Sequence, residues 1–166
     1  MTTQDGTEIY FKDWGAGVPV VLIHGWPLNA DMWESQAGFL ASSGYRVIAY
    51  DRRGFGRSSQ PFQGYDYDTL ADDLAELMTA LDLRGAALVG FSMGSGEVVR
   101  YLSRHGAGRV AKAAILSGST PFPLKTESNP DGVDGKVFDQ FHEQIVKDRF
   151  GFLQEAAPKF YGRSAL

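Results

Sequence analysis

Two rhythms of apolar residues divide this chain. Pro19 to Ile23 is an uninterrupted apolar run. A strand without alternation is covered on both faces, as central parallel strands are. Tyr45 to Tyr50, Ala86 to Phe91 and Val110 to Leu116 read as further strands. Between them the spacing turns helical. Met32, Trp33, Gln36, Phe39 and Leu40 predict one side of a helix capped by Asn29 or Asp31 and stopped at Gly44. From Asp66 onward, Leu70, Leu74, Leu77 and Leu81 form an apolar stripe with acids on the other side. Val98, Val99 and Leu102 predict the buried face of a helix over Glu97 to Arg104.

The chain opens with an Asp5-Gly6 turn signal, whose two sides predict a hairpin. Thr7 to Trp14 reads as a strand closed by Gly15 and Gly17. After Ser117 the character changes. Thr120 to Gly135 is rich in proline and turn residues and reads as a loop. Val137, Phe138, Phe141 and Ile145 mark one amphipathic helix. Phe152, Leu153, Ala156 and Ala157 mark another before Pro158, and no strand is expected after it. Strands alternating with helices predict an α/β fold with a mostly parallel sheet and right-handed crossovers. Residues 1–120 are expected to form the core, and 121–166 a cap-like loop and helices.

Composition narrows the function classes. The 166 residues suffice for one domain with a core, and a net charge of −4 gives no footprint for nucleic acid or anionic membrane. Without cysteine there is no disulfide framework and no thiolate metal site. No metal-ligand spacing stands out, and no cofactor is expected. The first six residues lack a basic region followed by an apolar run, so no signal peptide and a cytoplasmic location are expected.

The chemistry concentrates at Gly90-Phe91-Ser92-Met93-Gly94. A strand runs into a serine flanked by glycines, and a helix follows. Such a turn holds the serine in a strained conformation with its hydroxyl exposed above the sheet. A Cβ at Gly90 or Gly94 is expected to collide with the neighbouring strand or helix. The helix N-terminus behind Ser92 favours a developing negative charge.

Three segments in order, His24-Gly25-Trp26-Pro27, Asp51 to Ser58 and Gly90 to Gly94, resemble the α/β-hydrolase superfamily. More narrowly they resemble its cofactor-free haloperoxidase, perhydrolase and aryl-esterase branch, over nearly the whole chain. The resemblance implies a serine hydrolase acting on small carboxylic esters, with Ser92 as nucleophile and Met93 and Trp26 as backbone oxyanion donors. Pro27 has no N–H and would shape the acyl pocket with the side chains of Trp26 and Phe91. Phe138 and Phe141 are candidate cap residues over that pocket. With peroxide in place of water, relatives of this kind make peracids.

The family order is serine, acid, histidine. The resemblance places the last two after further strands, in roughly another hundred residues beyond Leu166. A serine hydroxyl is a poor nucleophile until a base takes its proton. Of the three histidines, His24 belongs to the oxyanion turn, and His105 closes the elbow helix at the end opposite Ser92. His142, four residues after Phe138, is the candidate base. The alternative is a catalytically deficient module that folds and self-associates without turnover. The edge of the Val110 to Leu116 strand would be bare and apolar, so a homo-oligomer is expected through this edge or the cap. Arg52, Arg53 and Arg57, among turn glycines and beside Asp51, read as loop-ordering ion pairs, and Asp72, Asp73 and Glu76 as a solvated face.

Overall fold

The computed structural model describes residues 1–118, 120 and 122–162. The chain divides into two compact units, Met1–Pro121 and Phe122–Leu166. In the first, strands β1 (Phe11–Gly15), β2 (Val18–Ile23), β3 (Tyr45–Tyr50), β4 (Ala86–Phe91) and β5 (Val110–Leu116) form one sheet in the order β1-β3-β2-β4-β5. Only β1 runs antiparallel, against β3; the other pairings are parallel. A 3-10 turn (Ala30–Trp33) and α1 (Glu34–Ser42) connect β2 to β3, α2 (Tyr67–Ala80) connects β3 to β4, and α3 (Met93–His105) connects β4 to β5.

The unbroken apolar run of β2 is explained by its two faces. Val21 and Ile23 enter a core with Ile48, Leu74, Leu77, Leu88 and Val98. Val20 and Leu22 enter a second core with Trp33, Ala37, Val47 and Ala49. The sheet is therefore a middle layer, with α2 and α3 on one face and α1 on the other. Asp66 starts α2 by accepting the backbone N–H of Asp68 and Thr69, each at 3.0 Å. The Asp5-Gly6 hairpin is reduced to a single antiparallel bridge, Thr2 to Glu8, and the paired strand starts at Phe11 rather than Thr7.

Three helical readings are corrected. Phe39 is 71 % exposed, and the buried side of the segment is Ala30, Trp33 and Ala37. Its first turn is 3-10, with three residues per turn, which rotates the face from the one a continuous 3.6-residue period predicts. The elbow helix begins at Met93 rather than Glu97, and its inner face is Gly94, Glu97, Val98 and Tyr101, leaving Val99 exposed. The acids of α2 are not all solvated. Asp73 is buried against Arg53, which also binds Asp5.

In the second unit, α4 (Gly135–Lys147) and α5 (Arg149–Phe160) follow a loop pinned by bridges at Leu124–Val133 and Thr126–Asn129. The helix around Phe152 does not stop before Pro158 but runs through it to Phe160. Neither helix buries a residue fully. Among the described residues, no helix is long and apolar enough to cross a membrane.

Candidate active site

Ser92 sits between the last residue of β4 and the first of α3, with φ +52° and ψ −117°. For a residue with a Cβ this conformation costs about 1–3 kcal/mol, and it persists only where surroundings enforce it. Here they do. The Ser92 N–H donates to the Leu116 carbonyl at 2.9 Å, and its own carbonyl accepts the Ser95 N–H at 3.0 Å. The Ser95 hydroxyl donates to the Gly90 carbonyl at 2.8 Å. The turn closes because two Cβ atoms are absent. One on Gly90 would lie 2.6 Å from the Gly94 carbonyl carbon and 2.7 Å from the Ser95 nitrogen. One on Gly94 would lie 2.5 Å from the Ile23 carbonyl oxygen and 2.9 Å from that of His24. Gly90 thus lets the strand meet its own helix, and Gly94 lets the helix rest on the end of β2.

That second approach brings the turn after β2 beside the serine. A Cβ on Gly25 would lie 3.0 Å from both the Ser92 Cβ and the Phe91 Cδ1. Trp26 follows, 38 % exposed, with a cis peptide to Pro27. Met93 opens α3, so its N–H has no acceptor within the helix. Ser92, Met93, Gly25, Trp26 and Pro27 are therefore grouped at one end of β2 and β4. Phe91 is half-buried and meets Trp33 edge to face at 6.5 Å.

Phe138, Phe141 and His142 lie on α4 in the second unit. Phe138 and Phe141 are exposed there, with Phe141 against Phe152 at 5.9 Å. The two histidines of the first unit have other partners. The His24 ring is fully buried; its Nδ1–H donates to the Gly25 carbonyl at 2.9 Å, while Nε2 accepts the Arg52 backbone N–H at 3.1 Å. Burial, then the Arg52 charge, pulls this imidazole down to about 4, so it is neutral. His105 closes α3 and bonds Asp72 at 2.7 Å.

The loop after β3 is ordered by ion pairs of all three arginines, as expected, though only Arg57 pairs with Asp51. Asp51 is fully buried and accepts the Ala30 and Arg57 backbone N–H at 2.8 and 2.7 Å and the Arg57 Nε at 3.0 Å. Arg52 turns away from Asp51. Its Nε donates to the Glu97 Oε2 at 2.7 Å and its Nη2 to the His24 carbonyl at 2.9 Å. The Tyr50 hydroxyl donates to the other Glu97 oxygen. Burial pushes the Glu97 carboxyl up, with the Arg52 charge opposing. Sequence reasoning missed Glu97 and Tyr67, whose hydroxyl reaches the Met93 carbonyl at 3.2 Å. One signal for Glu97 was available: it lies three residues after Gly94 and four before Tyr101, on the face α3 turns inward.

A strand, a strained serine turn and a helix over a parallel sheet define the class that the comparisons then identify. The chain belongs to the α/β hydrolase fold family, matching over residues 18–158. It is 52 % identical over 163 residues to a non-heme haloperoxidase of Rhodococcus erythropolis, covering 98 % of this chain and 60 % of that protein. It is 46 % identical over 165 residues to a bifunctional esterase/perhydrolase of Acinetobacter calcoaceticus, with the same 98 % and 60 % coverage. An esterase from Exiguobacterium antarcticum superposes with a TM-score of 0.88 at 40 % identity, covering 93 % of this chain and 59 % of that one. The chain thus spans about three-fifths of the length of the curated relatives it matches.

Proposed function

We propose that this chain carries the nucleophile of a serine hydrolase acting on small carboxylic esters. The observation that carries the reading is the backbone of Ser92, held at φ +52° where strand and helix meet. Ser92 Oγ attacks the ester carbonyl carbon while a base takes the hydroxyl proton. Charge developing on the carbonyl oxygen is received by the Trp26 and Met93 N–H groups. The ester C–O bond breaks, and the alkoxide leaves with a proton as the alcohol. Water then attacks the acyl-serine, releasing acid and restoring the hydroxyl. Hydrogen peroxide in that second step would release a peracid, in line with the haloperoxidase and perhydrolase named above. Trp26, Pro27 and Phe91 would shape the acyl site.

The test is hydrolysis of p-nitrophenyl acetate together with labelling of Ser92 by a fluorophosphonate. Wild type is expected to exceed Ser92→Ala in both; equal rates reject the reading. A base supplied by His142 makes His142→Ala slower by about 10²–10⁴-fold. An unchanged rate in that variant rejects His142 as the base.

A second reading is favoured by the commitments of His24 and His105, whose rings are bonded to Arg52, Gly25 and Asp72. In it the chain folds and associates but does not turn over. Labelling of Ser92 without steady-state hydrolysis would select that reading.

A further inference from the structure

We infer that Arg52 and Glu97 are positioning residues for the chemistry at Ser92, acting by fixing the turn that presents the Trp26 amide. The inference rests on the proposed ester chemistry. Three elements must agree for two oxyanion donors to converge: the end of β2, the loop after β3 and the first turns of α3. The Arg52–Glu97 pair joins all three. Glu97 comes from α3 and Arg52 from the loop, and both side chains are 1 % exposed or less. Their contact is 2.7 Å.

Arg52 grips His24 at two places, taking its carbonyl with Nη2 at 2.9 Å and its ring nitrogen with the backbone N–H at 3.1 Å. From the other side the same carbonyl limits the approach of Gly94, whose absent Cβ would lie 2.9 Å from it. The His24 carbonyl is therefore clamped between the guanidinium and the helix that starts at Met93. Two residues on is Trp26. Any displacement of the clamp moves one donor relative to the other. Tyr50 adds a third tie, holding the remaining Glu97 oxygen from β3.

Stability alone gives no reason for this pair. Desolvating both charges offsets much of their attraction, and apolar side chains of similar volume often serve folding as well as a buried ion pair does. What apolar side chains cannot do is hold a carbonyl oxygen at a set distance.

The test compares wild type, Arg52→Lys, Glu97→Gln and the paired variant Arg52→Met with Glu97→Leu. Each is followed by urea melting and by fluorophosphonate labelling, resolved into a binding constant and a maximal rate. The paired variant is expected to melt cooperatively, at a midpoint lowered only by the Tyr50 hydroxyl and the His24 carbonyl losing these partners. Its maximal labelling rate is expected to fall about tenfold or more with binding within about threefold, because loss of one oxyanion donor costs about 10²–10³. A folded paired variant labelling at the wild-type rate overturns the inference. Should it fail to fold, Arg52→Lys decides, since it keeps the charge but replaces the planar two-nitrogen grip on Glu97 and the His24 carbonyl with a single ammonium. A tenfold loss there supports the inference, and a wild-type rate overturns it. If wild type labels no faster than Ser92→Ala, the ester reading fails and this inference with it. If wild type labels and every variant matches it, the inference alone fails.

Discussion

Replacing Gly94 with alanine sets two effects of opposite sign against each other. Gly94 lies in the first turn of α3, where alanine favours the helix over glycine by about 1 kcal/mol. Packing opposes this. The new Cβ would lie 2.5 Å from the Ile23 carbonyl oxygen, whereas ordinary contact begins at 3.4 Å, so helix and strand must separate by roughly 0.9 Å. Both obstructing atoms belong to the backbone of β2 and its turn and cannot rotate away. Overpacking of this kind costs about 1–3 kcal/mol and exceeds the gain. Gly38 in α1 supplies the control: a Cβ there meets nothing within 4 Å. Gly38→Ala should therefore stabilise by up to about 1 kcal/mol, and because both variants gain the same helix propensity they should differ by the overpacking cost, about 1–3 kcal/mol. With a urea slope of about 1–3 kcal/mol/M, their midpoints separate by about 1 M. Fluorophosphonate labelling of folded Gly94→Ala should also slow, since a misplacement near 1 Å can cost about 100-fold. Equal urea midpoints for Gly94→Ala and Gly38→Ala would refute the argument that the helix rests on the strand through this glycine.

His24 makes stability depend on pH. Its folded pKa is lowered to about 4 from 6.5, so between these values the unfolded chain binds a proton that the folded chain excludes. Its contribution is complete above pH 6.5 and is lost as pH falls toward about 4, by about 3 kcal/mol in all. Urea midpoints at pH 7 and pH 4.5 should converge in His24→Gln relative to wild type; an identical loss in both would refute this. Asp66→Ala removes the cap of α2 and should cost about 1 kcal/mol by urea melting, and an unchanged midpoint would show that the two 3.0 Å bonds contribute nothing. Among the described residues β5 pairs only with β4, and Ile115 and Leu116 are each 41 % exposed. The 166-residue chain should therefore self-associate in sedimentation velocity; a single monomeric species at all concentrations would refute that expectation.

What was legible in the sequence is what local chemistry dictates. The bounds of β3, β4 and β5 follow from mostly apolar runs that begin after a glycine or arginine and end at an aspartate or a serine. The serine turn follows from glycines at the two positions where a Cβ would strike backbone. The α1 face was misjudged because a 3-10 turn at Ala30–Trp33 shifts the period without leaving a mark in composition. The C-terminal end of α5 was misjudged: the helix runs two residues past Pro158, against the breaking effect a proline has inside a helix.

The acids show a deeper limit. Asp68, Asp72 and Asp73 share one helix and one residue type, yet Asp73 is 4 % exposed while Asp68 and Asp72 bond arginines of α3 at the surface. Within α2 only helical position separates them: Asp73 lies three residues after Leu70 and four before Leu77, beside the apolar stripe. The difference is made by Arg53, twenty positions away, arriving with both Nε and Nη2 at 2.6 Å from the carboxylate. Glu97 repeats the case with Arg52 at a separation of 45 residues. An isolated acid on a helix is rightly read as solvated, because burying an unpaired charge is prohibitive. The exception requires a partner delivered by the fold, and both partners come from the same loop after β3. The Asp51 to Ser58 segment is thus more than a connection: it supplies the cations that let α2 and α3 carry acids inward. One of those acids, Glu97, then lies five residues beyond Ser92 and braces the turn beside it.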